Sequence, residues 1–484
     1  MQIQLLSGAY QARSIIASAQ RCLNLYPEIA QRETFLYMPQ PAGAASILTH
    51  YPTPGLTSLA ASTGTWRCLY MASNGTLYGV CGQTVYAISS TWGLAALGTL
   101  SFPSNNPVSM ADNAVTLVIV DGSTTGYTIT LATNAFAVLA DPTGSFVGAD
   151  FVEYLDTFFL FNKPNTQIFY TSLSNSTTFD PLYFAAKVGG SDRLVAMRVV
   201  NRNIWLLGAQ TSEVWYDSGA SAFPFQITEG AFIQHGCHAK YSVASNDLQI
   251  FWLGQDPQGQ NIVFMGNGYT AARISTHAIE HDIQSYSRTD DAIGYCYQQE
   301  GHVFYVLNFP TADRTWVYDQ ASNLWHERAW IDSNGVEHRH RSNVYASAYG
   351  AAVVGDWSNG SLYAFDLNNY TDNGQPIKRL RAFPHVVNDL KRVVYHKFIA
   401  DMQAGGQTDP TQAAPLVGLR WSDDRGNSWG NYITQPLGAV GNALANIQWR
   451  RLGMARDRVF ELSWSSPVLT ALNSAYIDVT GSAS

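Results

Sequence analysis

Charge is what this sequence has least of. Asp, Glu, Lys and Arg make up 13% of its 484 residues, against about 25% in an average soluble domain. The charge present is acidic on balance, with a formal net charge of −8. Tight nucleic-acid binding rests on clustered Lys and Arg that neutralise phosphates, so this balance argues against a protein that grips DNA, though not against one that lets it pass. Cysteine is also scarce. Cys22, Cys68, Cys81, Cys237 and Cys296 are odd in number and show no C-x-x-C spacing, which supports neither a zinc site nor a disulfide framework and fits synthesis in a cytoplasm. No apolar run approaches the about 18 residues of a membrane helix, and the first residues lack the charged region and apolar core of a signal peptide. The expectation is a soluble chain with no membrane insertion of its own. Walker, G-x-S-x-G and G-x-G-x-x-G elements are missing, so no cofactor is expected.

Long amphipathic helices are absent too. The nearest is a short piece at 276–286, where Ile279 and Ile283 lie four apart. What fills the chain is aromatic, glycine-punctuated strand text: 13% Phe, Trp and Tyr, and 39 Gly. Stretches 114–121, 151–161, 204–207, 248–253 and 303–307 are apolar and bounded by Gly, Asn, Asp or Pro. From Trp66 onward, strands and turns alternate every eight to ten residues or so. Asn74-Gly75-Thr76-Leu77-Tyr78 returns as Asn359-Gly360-Ser361-Leu362-Tyr363, and Trp215-Tyr216-Asp217 is echoed by Trp316-Val317-Tyr318-Asp319. Recurring four-strand punctuation of this kind is how propeller blades read in sequence.

The densest text lies at 416–479. Gly418-Leu419-Arg420-Trp421 and Trp429-Gly430-Asn431-Tyr432 flank a polar run and read as a β-hairpin. Its tip, Ser422, Asp424, Gly426, Ser428 and Trp429, fits the Asp-box pattern S-x-D-x-G-x-S-W. Here the Asp is expected to accept backbone N–H groups across the turn while the Trp packs beneath, a structural role. Short alternating runs follow to residue 479, so the chain ends in an antiparallel sheet. Residues 1–60, with Asn24-Leu25-Tyr26-Pro27 and Tyr51-Pro52-Thr53-Pro54-Gly55-Leu56, read as an extended strap. The expected architecture is all-β: strap 1–60, a β-propeller-like body 61–375, and a C-terminal antiparallel β domain 376–484.

Sharper readings compete at several positions. His235, Cys237 and His238 suggest a metal cluster, but no second ligand pair follows at zinc spacing and a strand would split their faces. His338, Arg339, His340 and Arg341 read as a solvated turn. An Asp box invites a glycan-binding or sialidase-like propeller, yet hydrolysis needs a positioned carboxylate pair or a Tyr nucleophile, and sequence pairs none of Glu153, Asp156, Glu213 and Glu280. Glu213 and Glu280 read as buried hydrogen-bonding groups. A generic propeller interaction scaffold is a further alternative. Lys378, Arg379, Arg381, Lys391, Arg392 and Lys397 form the most basic stretch, a charged surface strand pair or a contact for DNA or a partner.

The closing segment "WRRLGMARDRVFELSWSSPVLTALNSAYIDV" resembles the C-terminal signature of the tail-hub, or tail-nozzle, proteins of short-tailed bacteriophages, also called packaged-DNA stabilisation proteins. The segments 208–215, 223–225 and 230–236, then Arg273-Ile274-Ser275, Ile279-Glu280 and 315–319, follow one another as in that family. The resemblance implies a non-enzymatic virion tail component whose copies form a sixfold ring beneath the portal-adaptor ring, extending the DNA channel and helping to retain packaged DNA. It also implies a strap packed near the C-terminal sheet. The implied partners are other copies of the chain, the portal adaptor, and tail fibre, tailspike or needle proteins, with transient non-specific DNA contact. The basic stretch is then read as facing the adaptor rather than DNA, because a conduit holding DNA tightly would oppose ejection.

Overall fold

A computed structural model describes residues 2–3, 11–29, 48–221, 223–403, 405–406, 414–438, 441–442 and 447–481. Among these residues, seven four-stranded antiparallel sheets are arranged as blades around a central axis, occupying 66–99, 109–138, 152–186, 194–233, 244–273, 293–327 and, for three strands of the seventh, 342–366. The seventh is completed by strand Gly55–Ala61, which pairs with Ser361–Asp366 in register Phe365↔Leu56 and Tyr363↔Ser58. Thus the propeller is closed by a strand from the other end of the chain, and that strand runs across the boundary drawn at residue 60. The first strands of successive blades neighbour one another around the axis, those of blades four and five meeting through Arg198 and Ser245 at 3.1 Å.

Unbroken apolar runs become second strands because both of their faces are covered. In Asn203–Gly208 the side chains alternate: Trp205 and Leu207 join a cluster with Ile250, Trp252 and Phe264 of blade five. Ile204 and Leu206 join Leu160 and Phe169 of blade three. Every residue from Ile204 to Leu207 is therefore core, as expected for a strand sandwiched between sheets. The recurring motifs divide. Both N-G-x-L-Y turns use glycine at positive φ, +79° at Gly75 and +72° at Gly360. In both, the Asn side chain accepts from the residue two ahead and donates to the Tyr hydroxyl, at 3.2 Å for Asn74 and 3.1 Å for Asn359. They occupy different places, however, joining strands one and two in the first blade and strands two and three in the seventh. The motif repeats a turn chemistry and not a blade register. By contrast, Asp217 and Asp319 both end the third strand of their blades, and each accepts from the backbone two residues on.

The short helical piece is the helix His277–Gln284, capped by Thr276 and burying Ile279 and Ile283. Beyond the propeller, two sheets face each other as a sandwich. One holds strands Leu25–Ile29, Leu48–Pro52, Leu472–Gly481, Val393–Met402 and Ile447–Arg450. The other runs Arg21–Leu23, Arg379–Ala382, Asp457–Trp464, Leu416–Ser422 and Ile433–Pro436. Their inner faces meet at Phe398, Trp449 and Phe460, with ring centroids 5.9 Å (Phe398–Trp449) and 5.0 Å (Phe398–Phe460) apart. Strap strand Arg21–Leu23 pairs in parallel with the last strand of blade six and antiparallel with Arg379–Ala382. A single hydrogen-bonded sheet therefore passes from propeller through strap into sandwich.

Candidate functional site: the propeller–sandwich junction

The Asp box lies at this junction. Asp424 accepts the Ser428 N–H at 2.8 Å and the hydroxyls of Ser422 and Ser428 at 2.7 and 2.6 Å. The Ser422 hydroxyl in turn accepts the Gly426 N–H at 2.7 Å. One backbone donor reaches Asp424 directly and a second through Ser422, where several direct ones were expected. The returning strand is also shorter than the hairpin reading has it: Trp429 to Tyr432 are irregular and pairing begins at Ile433. Gly426 is required, because its φ is +94° and a Cβ there would meet Ala19 Cβ at 3.0 Å and Ile15 Cδ1 at 3.2 Å. The tip thus rests on the strap. Trp429 is half-buried against Leu23 of the strap, Ala329 after blade six, and Leu380 and Ala382 of the sandwich, with the Arg420 guanidinium over its ring at 4.9 Å.

These hydroxyl and N–H donors hold the Asp424 carboxyl down to about 2. A carboxyl depressed on folding contributes stability above its unfolded value of about 3.9 and loses it as pH falls toward the folded value. Asp424→Ala is therefore expected to melt below the parent at neutral pH and to converge with it near pH 2 or so. Trp429→Ala, which empties a half-buried site, should cost more, about 2 kcal/mol. Equal melting of both variants and the parent in calorimetry would contradict this role.

The strap is fastened by two side chains. Asn24, buried and at φ +53°, donates to the carbonyls of Ala329 and Lys378 at 2.9 and 2.8 Å and accepts the Ala329 N–H at 3.0 Å. One amide thereby bonds propeller and sandwich together. Arg21 forks onto Glu327 at 3.0 and 2.7 Å and reaches Glu337 at 2.7 Å. Lys378 completes this group on Glu337 at 2.8 Å.

The basic stretch does not form one surface. Arg379 and Arg381 are fully buried; Arg381 donates to Gln20 at 3.0 Å in the strap, and Arg379 lies beside Asp372. Spaced by two on a strand, both point inward, and neither is available to DNA or an adaptor. Lys378 is occupied by Glu337, while Lys391 and Arg392 are exposed and Lys397 is half-buried. The segment 338–341 is likewise no solvated turn: Arg339 and His340 are buried, and Arg341 stacks on Trp330 at 3.9 Å and pairs with Asp356 at 2.9 Å. Sequence reasoning missed this charged interior, whose signal was the density of Trp around the arginines.

Asp372, in the link between the domains, is buried among these cations. Burial pushes its carboxyl up to about 7 despite the downward pull of Arg341, Arg379 and Arg328. A carboxyl raised on folding holds its proton more tightly in the folded chain, so stability falls as pH rises from about 4 to about 7. Asp372→Asn is expected to remove that slope in urea unfolding across this window. An unchanged slope would place the titration elsewhere.

The carboxylates that could suggest hydrolysis are engaged. Glu213 accepts from the Gly189 N–H and from Trp215 Nε1, the latter at 3.0 Å. Glu280 accepts from Ser275 at 2.6 Å and from Arg273. Glu153 pairs with Arg198 at 2.9 Å and Asp156 with Arg202 at 2.6 Å. His235 stacks on Phe264 at 4.4 Å, and His238 bonds Thr289 at 3.0 Å.

A polar space of about 910 Å³ lies where the innermost strands of the propeller begin, bordered by Asn165, Arg193, Lys240, Arg288 and Arg339. A second space of about 820 Å³ lies against the innermost strands, with Tyr70, Asp112, Glu153 and Arg198. Bonds such as Tyr70 to Asp112 at 2.8 Å and Arg198 to Ser245 at 3.1 Å brace it. Spaces of this size match small-ligand pockets of about 300–1,000 Å³.

Comparison with protein families gives two matches in tandem. Residues 1–370 match the model described as bacteriophage P22 Gp10, beta-propeller, and residues 378–480 match bacteriophage P22 Gp10, beta-sandwich. No curated protein sequence matches the chain. Solved structures similar to it include the WD40 β-propeller domain of Doa1, at 10% identity over 65% of this chain and 97% of that one, TM-score 0.40. BamB from Moraxella catarrhalis is similar at 10% identity over 71% and 97%, TM-score 0.40, and the N-terminal domain of Nup159 at 9% over 65% and 94%, TM-score 0.40. With its propeller and its sandwich both matched and in the same order, the chain belongs to the bacteriophage P22 Gp10 family of tail-hub, or packaged-DNA stabilisation, proteins.

Proposed function

We propose that this phage structural protein forms the wall of a DNA conduit: copies close into a sixfold ring below the portal and its adaptor, help to retain packaged DNA, and pass it during ejection. The observation that carries the reading is the tandem family match over both domains. The continuous sheet across the junction supports it, because a wall element must carry load without its two domains swinging apart. The spaces along the propeller axis are of small-ligand size, so the conduit is assigned to the space between copies. The net charge of −8 suits a wall that repels phosphates and lets DNA slide with few contacts to break. Ring closure is assigned to heterologous contacts about the axis, and the adaptor and the fibre, tailspike or needle proteins are its neighbours in the tail. Among the described residues no helix is long and apolar enough to cross a membrane.

The test is DNA binding by the purified chain across a salt series. Weak binding with a shallow salt dependence is expected; tight binding that falls steeply with salt would contradict a wall that passes DNA. The reading is also non-catalytic. Glu213 and Glu280 are consumed by buried hydrogen bonds, so assays with sialosides and other glycans are expected to be blank. Turnover abolished by Glu213→Gln or Glu280→Gln would favour a glycosidase instead.

A further inference from the structure

One end of the sandwich carries a basic surface that the stretch 378–397 only half describes. Strand Val393–Met402 and segment 450–456 run antiparallel. Lys397 sits opposite Arg450, the Arg451 N–H donates to the His396 carbonyl at 2.9 Å, and Val394 sits opposite Met454. Arg456 reaches back to the Leu390 carbonyl at 3.2 Å. Lys391, Arg392, Lys397, Arg450, Arg451 and Arg456 are thereby gathered together, all exposed except the half-buried Lys397. Among the described residues, none of these six makes an ion pair. The acidic groups nearby are Asp389 in the preceding loop and Asp478 across the sheet from Lys397. In an acidic, charge-poor chain, an exposed concentration of cations without ion pairs suits an external counterpart of opposite charge.

The apolar side chains among them decide what kind. Val387, Leu390 and Met454 are 50%, 49% and 48% exposed. A phosphate backbone offers these groups nothing, whereas a protein surface buries them while its carboxylates meet the cations at the rim. A second copy of the chain is a poor counterpart. Among the described residues its exposed carboxylates without an ion pair are scattered, Glu28 on the strap, Glu229, Asp247 and Glu300 on blades four, five and six, and Asp389, Asp401, Asp424 and Asp478 on the sandwich that itself carries the cations. We propose that this end of the sandwich docks a carboxylate-rich segment of a different tail protein, whose apolar side chains cover Val387, Leu390 and Met454. Only the location of that partner in the tail rests on the function proposed above.

The test titrates the full-length protein with a peptide of alternating Glu and Leu, and with a DNA duplex of equal charge. The peptide is expected to bind more tightly. The triple variant K391E/R450E/R451E should weaken it by about tenfold or more with melting unchanged, and L390S/M454S should weaken it without altering charge. In isolated tails, zero-length carbodiimide coupling is expected to join Lys391 or Lys397 to carboxylates of another protein. Tighter binding of the duplex, indifference of the peptide to charge reversal, or coupling only to copies of the same chain would each overturn the proposal. Absence of the chain from tails would instead overturn the tail reading and leave the peptide result standing.

Discussion

Asn24→Ala is expected to be the most damaging single substitution outside the hydrophobic core. It strips partners from two carbonyls and one N–H at once, those of Ala329 and Lys378. Each buried backbone group left unsatisfied costs about 1–3 kcal/mol, and alanine at φ +53° adds about 1 kcal/mol more. The loss falls on the junction and not within either domain. Calorimetry of the full chain should therefore show an early transition for the sandwich and strap, about 4 kcal/mol less stable than in the parent, ahead of the propeller. Asn24→Gly relieves the backbone and not the bonds, so it should recover only the last about 1 kcal/mol. A single, unshifted transition in Asn24→Ala would mean that the strap does not hold the two domains together.

Arg458→Ala should rank next. The residue is 1% exposed, and its guanidinium donates to both oxygens of Asp423 at 2.6 and 2.8 Å and to the Leu452 carbonyl at 2.6 Å and lies 4.4 Å from the Tyr395 ring. Truncation leaves that carbonyl without its donor, opens a void beside Trp421 and Phe460, and frees the Asp-box tip from the sheet beneath it. Breaking a buried pair costs about 3–5 kcal/mol, and the half-exposed Asp423 can rehydrate, which sets the expectation at about 3 kcal/mol. Lysine cannot reproduce the fork, so Arg458→Lys should restore less than half of that. A loss below about 1 kcal/mol in urea unfolding would reduce this arginine to an ordinary surface contact.

What the sequence made legible follows from range. Strands, turns and the Asp-box tip are written in neighbouring residues, and the alternation around Trp205 or the Gly at position 426 can be read where it stands. Blade count was hidden because Asn74-Gly75 and Asn359-Gly360 repeat a turn and not a position in the blade. Closure by Gly55–Ala61 was hidden because its partner strand Ser361–Asp366 lies at the far end of the propeller. Arg379 and Arg381 looked like surface charge because a low-charge chain gives no local hint that a strap covers them, although their spacing by two already placed both on one face. The basic end of the sandwich was half seen. Lys391, Arg392 and Lys397 stand out as a run, while Arg450, Arg451 and Arg456 join them only through pairing of their distant segment with Val393–Met402.

The fastened junction gives the family fold a mechanical meaning. Propeller, strap and sandwich share one sheet through Leu23 and Glu327, with Asn24, Arg21 and Trp429 closing it on either side. A chain built this way ties its two domains together through backbone hydrogen bonds, which suits the conduit wall proposed above.

The most direct measurement is a symmetry-resolved reconstruction of the intact tail. The account predicts six copies closed about the tail axis beneath the adaptor, DNA running between them and not through any propeller, and the junction of each copy intact. A copy placed away from the axis, or DNA passing through a propeller channel, would contradict it.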